Sequence, residues 1–372
     1  MKIIHCADLH LDSKMSANLS WQKALERNEE LIQTFENMVN NFAVKNQVKI
    51  IIIAGDLFDT ENSTNKISVK RILQSISKNP QITFFYLKGN HDIQNIFRKI
   101  NDLPENLKFF NQEKWTLYKS KNICIGGREF QNEISEKVYS ELNLDPKFFN
   151  IIILHGQIIF NTNKQNAPLI NLQKLAEKNI NYLALGHIHS FSEGELGENL
   201  KISGKHKTSK WVYSGCLEGR GFDECGKKGF VLLEVDEKNN FQQKFIPFAK
   251  REFFQIKIDI SLLNDFREIS NAVEKEIQNL ESKDFVKIIL CGQIDETTEL
   301  NLEVLKNIFK DRFYFFEIQN QTETKINFQK YANDFSLKGE FVRNVQKSDL
   351  SNEEKFEIIS TGLKLLSGKE II

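Results

Sequence analysis

Residues 49–59 read KIIIIAGDLFD. Four consecutive isoleucines leave no polar face, so the run fits neither a half-exposed strand nor an amphipathic helix. It fits a strand covered on both faces, as in the interior of a parallel sheet. Gly55 ends the run, and Asp56 follows at once, with Asp59 three residues on. In open α/β sheets ligands bind beyond the carboxyl ends of the strands, so these two acids stand where chemistry is expected.

The same layout recurs along the first half of the chain. KIIHCA (2–7) runs into Asp8-Leu9-His10, and ITFFYLKG (82–89) into Asn90-His91-Asp92. NIIILHG (150–156) delivers His155, and NYLALG (181–186) runs into His187-Ile188-His189. NICIGG (122–127) and GFVLLEVD (229–236) complete the series of strand-like runs. Residues 21–46 and 64–78 between them have helical spacing, with Leu25, Ile32, Phe35, Met38, Val39 and Phe42 predicted as one core-facing stripe. Strands alternating with helices predict a layered α/β fold.

The pattern changes twice. Residues 191–215 form a polar, hairpin-like insert. After 250, strand-like FFQIKIDI (253–260), FVKIILCGQI (285–294) and RFYFFEI (312–318) alternate with helical stretches, which predicts a small, separate α+β unit. Residues 336–366 have the pattern of two helices. Ser351 and Glu354 make a capping box, and Phe356, Ile359, Leu363 and Leu366 form a stripe. The expected domains are therefore 1–250, 251–335 and 336–372.

Composition bounds the function. A chain of 372 residues suggests two domains or more. Lys+Arg and Asp+Glu both number 50, so any footprint for a polyanion must be local. Five scattered cysteines without a C-x-x-C argue against a disulfide framework or structural zinc and for a reducing compartment. The first residues turn polar too early for a signal peptide, and no apolar stretch is long enough to span a bilayer. A cytoplasmic protein with no membrane association is expected.

Five of the seven histidines fall at the strand ends. A lone histidine there is usually a hydrogen-bonded structural residue; five strands in series delivering Asp, Asn and His point to a metal site. Nitrogen and oxygen donors without thiolate suit manganese, iron or zinc. Seven donor residues exceed the needs of one ion. Two ions sharing a carboxylate are the economical solution, and such a pair serves in-line displacement at phosphorus.

The order D-x-H, G-D-x-x-D, G-N-H-D, a lone His and G-H-x-H resembles the calcineurin-like metallophosphoesterase superfamily, over residues 1–235. Within it, IIHCADLHLD, GDLFD, GNHD, GHIH and YSG are similar to the SbcD-type DNA repair nucleases, bacterial relatives of the eukaryotic meiotic recombination nuclease. YSGCLEGRGFDECGKKGFVLLEVD (213–236) resembles their YhaO-like branch. The resemblance implies a layered β-sandwich core flanked by helices, an α+β DNA-capping domain, and a helical tail that docks on an SMC-like ATPase of the SbcC or YhaN type. It implies that Asp8, His10 and His189 bind one metal, that Asn90, His155 and His187 bind the other, and that Asp56 bridges. It also implies manganese as the metal, a homodimer, and His91 as the group that assists the leaving oxygen, oriented by Asp59. Asp92 is expected to be a turn residue behind the site, and His5 a core residue of the first strand.

The activity so implied is that of a two-metal DNA phosphodiesterase, a double-strand exonuclease and single-strand endonuclease, in double-strand-break repair. Thr60 and Asp59 stand where the protein-phosphatase and purple-acid types of the superfamily have Arg and Tyr. A small-molecule or cyclic-nucleotide phosphodiesterase remains an alternative, as does a non-catalytic scaffold bridging DNA and ATPase. For DNA itself, Lys205 and Lys207 in ISGKHKTSKW (202–211) and Arg220 on a glycine-rich turn are candidate phosphate contacts. The chain has no Walker A motif, so ATP chemistry must come from a partner.

Overall fold

The structure is a computed structural model that describes residues 1–15, 19–59, 66–92, 97, 100–129, 134–159, 168–197, 209–263, 265–295, 298, 300–325, 330–331 and 333–366. Lys205 and Lys207 lie outside the described residues. The chain divides into two compact units, Met1–Phe253 and Phe254–Ile372.

The first unit is built on two six-stranded sheets. One contains β1 (Lys2–Cys6), β2 (Ile50–Ala54), β3 (Thr83–Leu87) and β4 (Leu107–Phe109), all parallel, with β13 (Gly229–Val235) antiparallel beside β1 and β14 (Phe241–Pro247) antiparallel beside β13. The other contains β5 (Thr116–Ser120), β6 (Ile123–Gly127), β7 (Phe149–His155), β10 (Tyr182–Gly186), β11 (Ser192–Glu195) and β12 (Lys210–Tyr213), in the order β11-β12-β10-β7-β6-β5. Its inner strands β6, β7, β10 and β12 are parallel. Two short strands, β8 (Gln157–Ile158) and β9 (Leu169–Ile170), pair separately.

The isoleucine runs are used on both faces, as their sequence requires. Ile3, Ile52 and Phe85 meet Ile151, Ile153, Tyr182 and Ala184 between the sheets. Ile4, Ile51, Ile53 and Phe84 point the other way, onto Leu31 and Phe35 of α1 (Trp21–Asn37) and Val69 and Ile72 of α2 (Lys66–Ser77). On the far side, Ile152, Leu154, Leu183 and Leu185 pack on Val138 and Tyr139 of α3 (Glu136–Glu141) and Leu175 of α4 (Leu172–Ala176). The unit is a helix–sheet–sheet–helix stack. Register sets its business end: Cys6 is level with Ile53, Ala54 with Leu87, and His155 with Gly186, so these parallel strands stop together.

The predicted stripe on α1 is corrected in one place. Leu25 is 48% exposed, while Arg27 and Glu30 are buried instead. Arg27 donates to Glu30 (2.6 Å) and Glu218 (3.0 Å), Arg251 donates to Glu30 (2.7 Å), and Thr34 Oγ1 donates to Glu218 (2.7 Å). Spacing of apolar residues cannot reveal a helix face whose buried groups are paired ions. Past Asn37 the helix runs on through a π-helical turn, Met38–Ala43.

The second unit contains β15 (Phe253–Asp259), α5 (Phe266–Ile277), β16 (Phe285–Asp295), α6 (Leu302–Phe309) and β17 (Phe315–Lys325), with sheet order β15-β16-β17. Ile269, Val273 and Ile277 of α5 and Leu305 and Phe309 of α6 share one core with the sheet. Two further helices, α7 (Leu337–Gln346) and α8 (Asn352–Leu366), pack through Val342, Ile359 and Leu363. Ser351 and Glu354 form the reciprocal cap before α8. Of the predicted stripe, Ile359 and Leu363 are buried, whereas Phe356 and Leu366 are 41% and 39% exposed. Among the described residues no helix is long and apolar enough to cross a membrane.

Candidate metal centre

Beyond the level strand ends, the loops are laced together. Asp8 N–H donates to Gly55 O (3.0 Å), His10 N–H to Asp56 O (2.9 Å), Leu11 N–H to Leu57 O (3.0 Å), and Asp59 N–H to Leu11 O (3.1 Å). The β1 and β2 loops thus continue as a ladder after the strands end. The backbone turns sharply there. Asp8 (φ 54), His10 (φ 43), Asp56 (φ 50) and His187 (φ 101) all lie in the left-handed region. Non-glycine residues hold such angles only where the surroundings impose them, and they gather at functional sites. His187 is fixed by its N–H, which donates to both carboxylate oxygens of Asp8 (2.9 and 3.0 Å).

The motif glycines are required by crowding. A Cβ on Gly55 would enter the imidazole of His155, and one on Gly89 would enter the carboxylate of Asp56. Asp92, as expected, serves behind the site. It is buried and accepts from the backbone N–H of Leu57 (3.3 Å), Phe58 (3.0 Å) and Gly89 (3.0 Å), tying the β2 loop to the β3 loop.

The structure brings the candidate ligands of all five strands together. Asp56 Oδ2 lies 3.2 Å from His155 Nε2 and 3.6 Å from His10 Nε2, between two donor groups. On one side, His10 Nε2 faces His189 Nε2 at 3.2 Å, and donor atoms of Asp8, His10 and His189 lie within 4.8 Å of one another. On the other side, Asn90 Oδ1 is 2.8 Å from His155 Nε2 and 3.3 Å from His187 Nδ1. His155 Nδ1 donates to the Ala54 carbonyl (2.9 Å), so Nε2, aimed at the centre, is the nitrogen that offers a lone pair once a cation displaces its proton.

The imidazole of His91 stands at the rim, 48% exposed, edge-on to His10 with centroids 4.8 Å apart. Its Nδ1 is 3.9 Å from Asp59 Oδ1, an ion-pair distance rather than a hydrogen bond. The His91 N–H donates to Asp56 Oδ1 (2.8 Å). His5 is fully buried in β1 with Nδ1 3.0 Å from the Tyr182 hydroxyl, a core residue.

The charges fit a cation-binding centre. Burial raises the Asp8 carboxyl to about 6, against the opposing pull of His155 and His189. Asp56 is held well below the carboxylate range: burial would raise it, but the charge and hydrogen bond of His155, the charge of His10 and the backbone N–H of His91 together outweigh that. His155 is pushed up to about 9, because Asp56 and Asp8 overcome the effect of burial. The proton on His155 thus neutralises charge where a cation would. Burial lowers His187 to about 4 and His10 well below its ordinary value, so both are neutral lone-pair donors at physiological pH. Buried carboxylates, neutral imidazoles and an amide oxygen converging without thiolate are a donor set that fits two divalent cations.

One contributor carries no signal in its own motif. Glu224, buried in the turn after β12, accepts from His189 Nδ1 at 2.7 Å and from Arg220 Nη2 at 2.7 Å. Arg220, the candidate substrate contact, therefore sits against Glu224, 3.3 Å from His189 Nδ1. In the sequence Glu224 is only an acid among glycines, GFDECG (221–226), and its pairing with a histidine 35 residues earlier is visible only after folding.

Residues 1–191 match the calcineurin-like phosphoesterase family. The chain is 25% identical to the uncharacterized metallophosphoesterase YhaO of Bacillus subtilis, over 95% of this chain and 88% of that protein. It is 28% identical to the DNA double-strand break repair protein Mre11 of Sulfurisphaera tokodaii, over 78% of this chain and 74% of that protein. With the SbcD component of the nuclease SbcCD of Staphylococcus epidermidis it shares 24% identity, over 66% of this chain and 69% of that protein.

Proposed function

Because the chain belongs to the calcineurin-like phosphoesterase family, and is with it a metal-dependent hydrolase, we propose that it is a two-metal DNA phosphodiesterase. The observation that carries this is the carboxylate of Asp56 standing between His10 and His155, 3.6 and 3.2 Å away, each the start of a separate donor group. Asp8, His10 and His189 would hold one ion, Asn90, His155 and His187 the other, with Asp56 shared and manganese the metal expected. Two such ions supply charge neutralisation at a phosphoryl group and a water acidic enough to attack it.

The protein's own groups do the rest. His91 is exposed at the rim, where a substrate can reach it, and gives a proton to the departing sugar oxygen. Asp59, 3.9 Å from His91 Nδ1, is the carboxylate placed to orient its ring. Arg220 adds positive charge beside His189 for a phosphate bound there. DNA as substrate and double-strand-break repair as setting are supported by the names of the relatives; an SMC-like ATPase as partner follows from the resemblance of the sequence motifs to the SbcD-type nucleases. The exposed Phe356 and Leu366 of α8 offer the ATPase an apolar contact, and the active form is a homodimer.

The test uses end-labelled linear duplex DNA with purified protein, with and without manganese. Manganese-dependent degradation that His91→Ala abolishes while retaining both ions is expected. Hydrolysis of bis-(p-nitrophenyl) phosphate or a cyclic nucleotide with intact DNA, in the presence of the ATPase, would replace DNA by a small phosphodiester. Binding of DNA and ATPase without any turnover would make the protein a scaffold.

A further inference from the structure

We propose that the turn 217–226 is a positioning device for one half of the centre only, and that Glu224 is its working residue. The inference rests on the two-metal proposal and adds an asymmetry to it. Two histidines, one from each half of the centre, are oriented by different kinds of partner. His155 is held from behind by a backbone carbonyl, that of Ala54, at 2.9 Å. His189 is held from behind by a carboxylate, Glu224 Oε1, at 2.7 Å. A carboxylate fixes the Nδ1–H tautomer, points Nε2 at the ion, and makes that nitrogen a stronger donor than a carbonyl does.

Glu224 has little else to do. It is 5% exposed, and its carboxylate meets His189, Arg220 and, in a long contact (3.9 Å), the Cys216 thiol. Arg220 grips it with three donors: the backbone N–H to Oε2 (2.8 Å), and Nε and Nη2 to Oε1 (3.2 and 2.7 Å). His189 is held at its other end too, where its carbonyl accepts from Lys228 Nζ (2.7 Å) and Cys216 N–H (3.3 Å).

The turn is rooted on both sides. Arg27 of α1 donates to Glu218 and to Gly219 O, both at 3.0 Å. Gly226 N–H donates to Phe253 O (3.2 Å), and the Phe222 ring meets that of Phe253 edge-on at 5.4 Å. Placement of the carboxylate is therefore determined by α1 and by the residue that closes the first unit, not by the metal loops themselves. Neutralising Glu224 removes the orienting charge and also leaves Arg220 uncompensated beside a site meant for a dication. Both effects fall on the Asp8–His10–His189 half.

The test measures Mn²⁺ binding to the full chain by equilibrium dialysis and electron paramagnetic resonance, for wild type, Glu224→Gln, His189→Ala and the double variant, with circular dichroism to confirm folding. Wild type binds two ions. Glu224→Gln binds one ion unchanged and the other about 10- to 100-fold more weakly. In the His189→Ala background the same change weakens the ion less than it does in wild type, because the orienting part of its effect is already gone. Two unaltered affinities in folded Glu224→Gln, equal loss at both sites, or losses that add in the double variant would each overturn the inference. Wild type that binds no ion overturns the two-metal proposal and the inference with it. An independent check needs no variant: ¹⁵N spectra of the metal-free wild type should show His189 protonated at Nδ1, and protonation at Nε2 alone would overturn the inference.

Discussion

Gly55→Ala should damage the centre without touching a ligand. Gly55 has φ +99, and a Cβ there would overlap the Nδ1, Cγ and Cε1 positions of His155. The left-handed angle costs an alanine about 1–2 kcal/mol. The methyl group also drives the imidazole off the Ala54 carbonyl, now 2.9 Å from Nδ1. A buried donor left without its acceptor costs about 1–3 kcal/mol more. The expected loss is therefore about 2–5 kcal/mol, from the sum of these two effects. Urea unfolding of the metal-free protein measures it. The same displacement swings Nε2 away from Asn90 and Asp56, so the Asn90–His155–His187 half should bind manganese more weakly than the other. Stability within about 0.5 kcal/mol of wild type, with both affinities intact, would refute the claim that crowding at Gly55 sets the position of His155.

Asp56→Asn should weaken both ions together; loss of only one in a manganese titration would remove the shared role of this carboxylate. Metal affinity should rise with pH. Binding needs a neutral His155 and an ionised Asp8, and the metal-free protein keeps those protons up to about pH 9 and about pH 6. Affinity should thus climb about tenfold per pH unit between these values and more steeply below the lower one, then level off above the upper. Flat affinity from pH 6 to 9 in a manganese titration would contradict the charge assignment. Glu30→Ala should cost about 3–5 kcal/mol in urea unfolding, because it removes the buried carboxylate that Arg27 and Arg251 share; a loss under about 1 kcal/mol would mean that the pairing is incidental.

The parallel strands were legible because burial on both faces forces unbroken apolar runs. KIIIIAG, ITFFYLKG, NIIILHG and NYLALG all became strands within a residue or two of their limits. The edges were not. β14 carries the polar run Gln242, Gln243 and Lys244, and Thr116–Ser120 (TLYKS) is half polar, because edge strands cover one face only. In the second unit β17 continues from Phe315 through the polar run NQTETK, since it pairs residue by residue with β16 as far as Lys325. At the site, the side chains that converge were legible from their shared position after each run. What holds them was not. The Ala54 carbonyl, the left-handed turns at Asp8 and His187 and the carboxylate of Glu224 are products of tertiary approach, with no period or spacing to announce them.

The most direct test is anomalous diffraction from crystals grown with manganese. Two peaks about 3.5–4 Å apart, flanking Asp56, one against Asp8, His10 and His189 and the other against Asn90, His155 and His187, are the expected result. A single peak, or none among these residues in fully loaded crystals, would contradict a two-metal centre.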